Sequence, residues 1–146
     1  MKKLIVYTDG GSRGNPGPSA LGAVIYDEKG KLIKKYNEFL GEMTNNQAEY
    51  RAVIFALKKI KALWGKDATA KIEVEIRSDS ELLVSQLRGE YKILDEKIQK
   101  LFIVVWNLKI DFKKVVFVLI PREQNKQADF LANEALDQEK RGQKLF

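Results

Sequence analysis

Leu4-Ile5-Val6-Tyr7-Thr8-Asp9-Gly10-Gly11 is an apolar run of strand length that ends on an acid followed by two glycines. Lys3 to Asp9 therefore reads as a buried strand. Working outward, Leu21 to Asp27 and Leu32 to Leu40 read as two further strands, joined at Glu28-Lys29-Gly30. A turn that tight makes them an antiparallel hairpin. Thr44-Asn45-Asn46-Gln47 then opens a long helix as a capping box, with Gln47 reaching back to the cap. Val53, Ala56, Leu57, Ile60 and Trp64 form its apolar stripe, and Gly65 stops it. Ile72, Val74 and Ile76 alternate along a fourth strand, Lys71 to Arg77, and a helix from Ser80 to Leu87 ends near Gly89. A helix from Leu94 to Leu108 follows, then a strand from Val115 to Ile120. Pro121 blocks its continuation before a last helix from Lys126 to Lys140. The order β-β-β-α-β-α-α-β-α pairs an antiparallel first half with parallel crossovers in the second, so the fold class is α/β, a mixed sheet covered by helices.

The chain has 146 residues, 45% of them hydrophobic, enough for one domain, 1–146, with a core of its own. No repeat or interdomain linker is visible, and the tail Gly142 to Phe146 is expected either to dock or to fray. Leu101 to Trp106 is the longest apolar stretch, far too short to span a bilayer, and no signal-peptide pattern precedes the first strand. A cytoplasmic protein with no membrane association is expected.

Cysteine and histidine are both absent, which excludes disulfides, thiol nucleophiles, the usual zinc ligand sets and a Ser-His-Asp triad. A hydrolase of this composition must use a carboxylate, a lysine or a bound metal. The net charge of +6 favours a polyanionic partner such as nucleic acid, although the basic residues are spread over both halves, as in any basic soluble protein.

Four acids carry the chemistry, and each has a plainer explanation. Asp9 before Gly10 could start a turn, but the carboxyl end of a buried strand is also where α/β sheets present ligands. Glu49 shares a helix face with Val53, Ala56 and Ile60, so it is either a salt-bridged rim residue or an inward-facing ligand. Asp79 could cap the helix that follows it. Asp129 borders the inner face of the last helix, where a first-turn acid also complements the helix dipole. These explanations leave open why all four should lie in reach of one point. Carboxylates about 4 Å apart repel by roughly 4 kcal/mol at an effective dielectric near 20, a conflict that divalent cations would remove. Hard oxygen ligands of this kind suit magnesium or manganese.

The motifs Tyr7-Thr8-Asp9-Gly10-Gly11-Ser12-Arg13-Gly14-Asn15-Pro16-Gly17-Pro18, Thr44-Asn45-Asn46-Gln47-Ala48-Glu49, Ser78-Asp79-Ser80 and Asn125-Lys126-Gln127-Ala128-Asp129-Phe130-Leu131-Ala132 cover nearly the whole chain in order. Through them the chain resembles type 1 ribonuclease H. The resemblance implies a five-stranded mixed sheet of order 3-2-1-4-5 with helices on both faces, and cleavage of the RNA strand of RNA/DNA hybrids. It implies that Asp9, Glu49, Asp79 and Asp129 bind two Mg2+ or Mn2+ ions. One ion would activate water and the other stabilise the leaving 3′-oxygen, giving a 5′-phosphate product. It further implies minor-groove contacts from Ser12, Asn15, Asn45 and Asn46, and a DNA-strand phosphate at Thr44. Gly10 and Gly11 begin a glycine-rich segment that lacks the P-loop pattern and reads as a tight turn allowing close backbone approach to substrate.

Three departures from the family pattern stand out. The loop before the last acid holds Pro121-Arg122-Glu123 in place of a histidine, so Arg122 is the candidate to touch the scissile phosphate or the departing product, as in archaeal-type members, and its help would be electrostatic. The segment from Leu87 to Leu101 is too short for a tryptophan-rich basic protrusion, leaving Arg88, Lys92, Lys97 and Lys100. Glu81 stands where the family commonly has glutamine. A binding module without turnover and a nuclease that also cleaves double-stranded RNA are the competing readings. No protein partner is implied, and a monomer is expected.

Overall fold

The computed structural model describes residues 2–144. Leu145 and Phe146, the end of the tail, lie outside the described residues. Strands β1 (Lys2–Ser12), β2 (Gly17–Asp27) and β3 (Leu32–Met43) are followed by helix α1 (Asn45–Thr69). Then come β4 (Ile72–Ser78), α2 (Glu81–Leu87), α3 (Glu96–Ile110), β5 (Lys114–Leu119) and α4 (Lys126–Lys144), with a 3-10 turn, Arg122–Gln124, before α4. The sheet order is β3-β2-β1-β4-β5, as the resemblance implies. The first three strands pair antiparallel, whereas β1 pairs β4 and β4 pairs β5 in parallel.

Alternation along β1 sends Leu4, Val6 and Thr8 into the main core and Ile5, Tyr7 and Asp9 to the opposite face. The main core packs Leu4, Val6, Val74 and Ile76 against Val53, Ala56, Leu57 and Ile60 of α1 and against α2 and α3. Helix α4 covers the other face over β2 and β3 through two smaller clusters that include Val24, Ala128, Leu131, Ala135 and Leu136.

The expected capping box opens α1. Thr44 Oγ1 accepts from the Gln47 amide at 3.2 Å, and the Thr44 amide donates to Gln47 Oε1 at 2.9 Å. Gly65 breaks α1 with φ of 80°, and a short turn continues to Thr69. The glycine-rich segment differs from its sequence reading: Gly10, Gly11 and Ser12 continue β1, and the turn falls at residues 13–16. Helix α3 begins at Glu96 because Asp95, not a residue before Leu94, is the cap, its side chain accepting from the Ile98 amide.

Candidate active site

The parallel pairing of β1 with β4 ends at Tyr7 opposite Arg77. Asp9 and Asp79, each two residues further along, stand where the two strands part, on the sheet face that carries Tyr7 and Arg77. Ligand crevices in α/β sheets form at such carboxyl ends. The capping explanation for Asp79 fails, because Ser80 Oγ caps α2 by accepting from the Leu83 amide at 3.2 Å. Asp79 is therefore free for other work.

Glu49 reaches the same place from α1. It is 7% exposed, on the face shared with Val53, Ala56 and Ile60, with Oε1 accepting from the Gly10 amide and Oε2 facing the Ser78 hydroxyl at 3.5 Å. One carboxylate oxygen from each of Asp9, Glu49 and Asp79 lies within 4.8 Å of the others. Asp129, in the first turn of α4, is exposed and joins the group from the same cleft, near enough for its charge to raise the Asp9 carboxyl. The structure thus brings all four acids together, as a tight trio with the fourth at its margin.

Two glycines make this convergence possible. A Cβ at Gly10 would collide with the Ala48 carbonyl and lie 2.5 Å from the Glu49 nitrogen. Gly22 pairs directly with Asp9 across β1 and β2, and a Cβ there would collide with the Ala128 carbonyl and lie 3.0 Å from the Ala132 nitrogen. Both helices therefore touch the sheet beside Asp9 along their backbones, α1 delivering Glu49 and α4 delivering Asp129. Gly10 thus serves helix packing within a strand.

The electrostatic cost is visible in the titration of the group. Burial, then the charges of Glu49, Asp79 and Asp129, push the Asp9 carboxyl up to about 9. Burial also raises Glu49, against the opposing pull of the Gly10 amide. Without a cation Asp9 and Glu49 hold protons into the alkaline range. Such a buried, oxygen-only donor set could hold magnesium- or manganese-like ions, whose charge would replace those protons.

The expected nucleic-acid contacts form one patch beside the acids. Asn45 Oδ1 accepts from the Ser12 amide at 2.9 Å and the Ser12 hydroxyl at 3.1 Å, and the Asn45 amide donates to Asn15 Oδ1 at 3.0 Å. Thr44 caps α1 next to them, and Asn46 Nδ2 donates to Gln86 Oε1 at 3.3 Å. A cleft of ≈ 180 Å3 joins Asp9, Gly10, Gly11, Ser12 and Asn45 to Arg122 and Asp129. Arg122 lies 3.8 Å from Asp79 Oδ2 with its side chain 91% exposed. The chain passes from α2 to α3 through residues 88–95 without a protrusion, and Tyr91 donates its hydroxyl to Glu81 at 3.0 Å.

Sequence reasoning missed three participants. Gly22 carried a signal, a lone glycine inside a strand pattern. Asn125 opened a quoted motif but had no assigned role, and it proves to be buried between Thr8 and Asp79. Arg13 braces α4 through Asp137 at 2.7 Å and Asn133 at 3.3 Å, contacts across the fold that no local pattern announces.

Fold and acids together define a protein of the ribonuclease H-like class, and a family profile described as reverse transcriptase-like matches residues 7–135. The chain belongs to the type 1 ribonuclease H family. It is 40% identical over 135 residues to ribonuclease HI of Halobacterium salinarum, covering 92% of this chain and 65% of that protein. It is 35% identical over 136 residues to the bifunctional protein Rv2228c of Mycobacterium tuberculosis, covering 92% of this chain but 36% of that protein. The chain thus spans only part of these relatives. Among solved structures, LC11-RNase H1 in complex with an RNA/DNA hybrid superimposes with a TM-score of 0.87 at 45% identity, covering 92% of this chain and 97% of that one.

Proposed function

We propose that this chain is a metal-dependent endoribonuclease that hydrolyses the RNA strand of RNA/DNA hybrids. The observation that carries the reading is the meeting of Asp9, Glu49 and Asp79, with Asp129 beside them, at the end of the Ser12–Asn15–Asn45 patch. The relation to LC11-RNase H1, which was solved with a hybrid bound, supports the substrate.

Two Mg2+ or Mn2+ ions held by the four acids would supply an activated water and neutralise the leaving 3′-oxygen, leaving 5′-phosphate and 3′-hydroxyl ends. The protein's own groups do the positioning. Asn side chains both donate and accept, which suits 2′-hydroxyls and base edges in the wide minor groove of a hybrid. Thr44, which caps the N-terminus of α1, would receive a DNA-strand phosphate there. Arg122, exposed at the rim of the cleft, supplies a cation for the scissile or departing phosphate without acting as a base. We take 1–146 to act as one catalytic domain, a monomer working in the cytoplasm. Among the described residues no helix is long and apolar enough to cross a membrane.

The test is a gel with labelled RNA/DNA hybrid, duplex RNA and duplex DNA, each with Mg2+, Mn2+ or EDTA. Hybrid-only, metal-dependent cutting is expected, with Asp9→Asn inactive yet still binding. Binding without cutting would reduce the chain to a binding module, and cutting of duplex RNA would widen the substrate class. Substantial turnover by Asp9→Asn would defeat the assignment.

A further inference from the structure

We propose that Asn125 is a positioning residue that sets the spacing of the acidic cluster, an inference that rests on the proposed metal-dependent activity. Asn125 follows the 3-10 turn and immediately precedes α4, and it is 1% exposed. Its Nδ2 donates to the Thr8 carbonyl at 2.9 Å and to Asp79 Oδ1 at 3.4 Å. Its own carbonyl accepts from the Asp129 amide at 3.1 Å, and its amide donates to the Arg122 carbonyl at 2.9 Å.

These four bonds reach every element of the site except α1. The Thr8 carbonyl belongs to the peptide that leads into Asp9, so its bond fixes the end of β1 against the start of α4. The second Nδ2 hydrogen orients the Asp79 carboxylate through Oδ1, the oxygen that does not face Arg122. The backbone carbonyl then holds the first turn of α4, from which Asp129 projects. A carboxamide suits this position because one nitrogen carries two hydrogens for two acceptors. Aspartate in its place would offer no donor, and alanine would leave the Thr8 carbonyl and Asp79 without this partner. Groups that orient metal ligands from behind typically contribute 10–100-fold in metal affinity or activity. Asn125 does not itself line the cleft that Ser12, Asn45 and Arg122 share, so its side chain should act through the acids and leave substrate affinity alone.

The experiment compares the whole chain with Asn125→Ala and Asn125→Asp by Mn2+ titration calorimetry, steady-state cleavage of an RNA/DNA hybrid, and thermal melting. Mn2+ binding is expected to weaken about tenfold or more, kcat to fall by a similar factor, and KM to stay within twofold of wild type. A residue that merely supports the fold would lower the melting temperature and leave the Mn2+ affinity of the folded fraction unchanged, and that result would overturn the proposal. Loss of folding in both variants would also overturn it, by assigning Asn125 to stability alone. If the wild type binds no Mn2+ and cuts no hybrid, the proposed function itself fails. If it does both and the variants match it, only the positioning role fails.

Discussion

Replacing Asp9 by asparagine should stabilise the metal-free protein, and the gain should depend on pH. The reason lies in the trio of carboxylates, whose oxygens lie within 4.8 Å of one another. At that separation each ionised pair repels by about 3 kcal/mol at an effective dielectric near 20. Burial first, and this repulsion second, hold the Asp9 proton to about pH 9 in the folded chain, while in the unfolded chain it ionises near its ordinary value of 3.8. A carboxyl whose folded value is raised binds more protons folded than unfolded, so stability falls as pH climbs from the unfolded value toward the folded one. Below that window both states are protonated and the penalty vanishes. The carboxamide of Asp9→Asn removes the titration while keeping the shape. The variant should therefore match the wild type to within about 1 kcal/mol near pH 4 and at pH 9 exceed it by about 3 kcal/mol from one lost repulsion alone, and by more once burial is counted, a rise of roughly 6 °C or more in Tm for a chain of this size.

The assay is thermal melting followed by circular dichroism, in EDTA, at several pH values between 4 and 9. Addition of Mg2+ supplies a second axis. A ligand at one hundred times its dissociation constant stabilises the native state by about 2.7 kcal/mol, so the wild type should recover part of the difference at pH 9 while Asp9→Asn gains little. Equal gains at pH 4 and pH 9, or no gain at either, would mean that the acids do not repel one another, and the electrostatic argument for cations would be lost.

Three other outcomes follow from the same geometry. Mg2+ affinity should increase between pH 6 and pH 9, because the raised Asp9 and Glu49 carboxyls must lose protons to ligate; calorimetry in buffers of different ionisation enthalpy should register about one to two protons released near neutrality. Gly22→Ala should destabilise the fold by about 1–3 kcal/mol in a melting experiment, because the new methyl overlaps the Ala128 carbonyl, and it should weaken metal binding by moving Asp129 away from Asp9. Affinity for an RNA/DNA hybrid should fall by about tenfold or more between 50 and 200 mM salt in a filter-binding or anisotropy assay, through release of counterions. A flat salt response would remove the basic surface from the account.

The order of elements was legible because period-2 and period-3.6 patterns are strong in this chain, whereas the strand order of the sheet came from the family resemblance. Leu4, Val6, Val74 and Ile76 alternate cleanly, and the Thr44–Gln47 cap is a purely local motif. Boundaries were less so. Residues 10–12 look like a turn in sequence, yet the partner strand holds Gly10, Gly11 and Ser12 extended opposite Leu21, Ala20 and Ser19. The four acids were legible as a set through ordered motifs, but the reason they can meet was not. Gly10 and Gly22 matter through backbone contacts with Ala48 and Ala128, and those pairs are 38 and 106 positions apart in the numbering of the chain. Asn125 was obscure for the same reason, its partner Thr8 being 117 positions away. Local pattern names the side chains, while long-range register decides which of them touch.

The four acids also differ in how firmly they are held. Asp9 and Asp79 stand at the ends of the two central parallel strands, and Glu49 sits on a helix whose inner face, Val53, Ala56, Leu57 and Ile60, has no exposed surface at all. The backbones that carry these three cannot draw apart without opening the main core. Asp129 is exposed, on a helix held by the two smaller clusters and by the Arg13 brace to Asp137. Repulsion within the group should therefore be relieved first by motion of Asp129, which is the acid that falls outside the 4.8 Å trio. On this reasoning the fold fixes three ligands and leaves the fourth adjustable. Under the proposed two-ion reading, such an arrangement would let a second ion enter or leave without unpacking the core, and the adjustable acid lies in the cleft that Arg122 also lines.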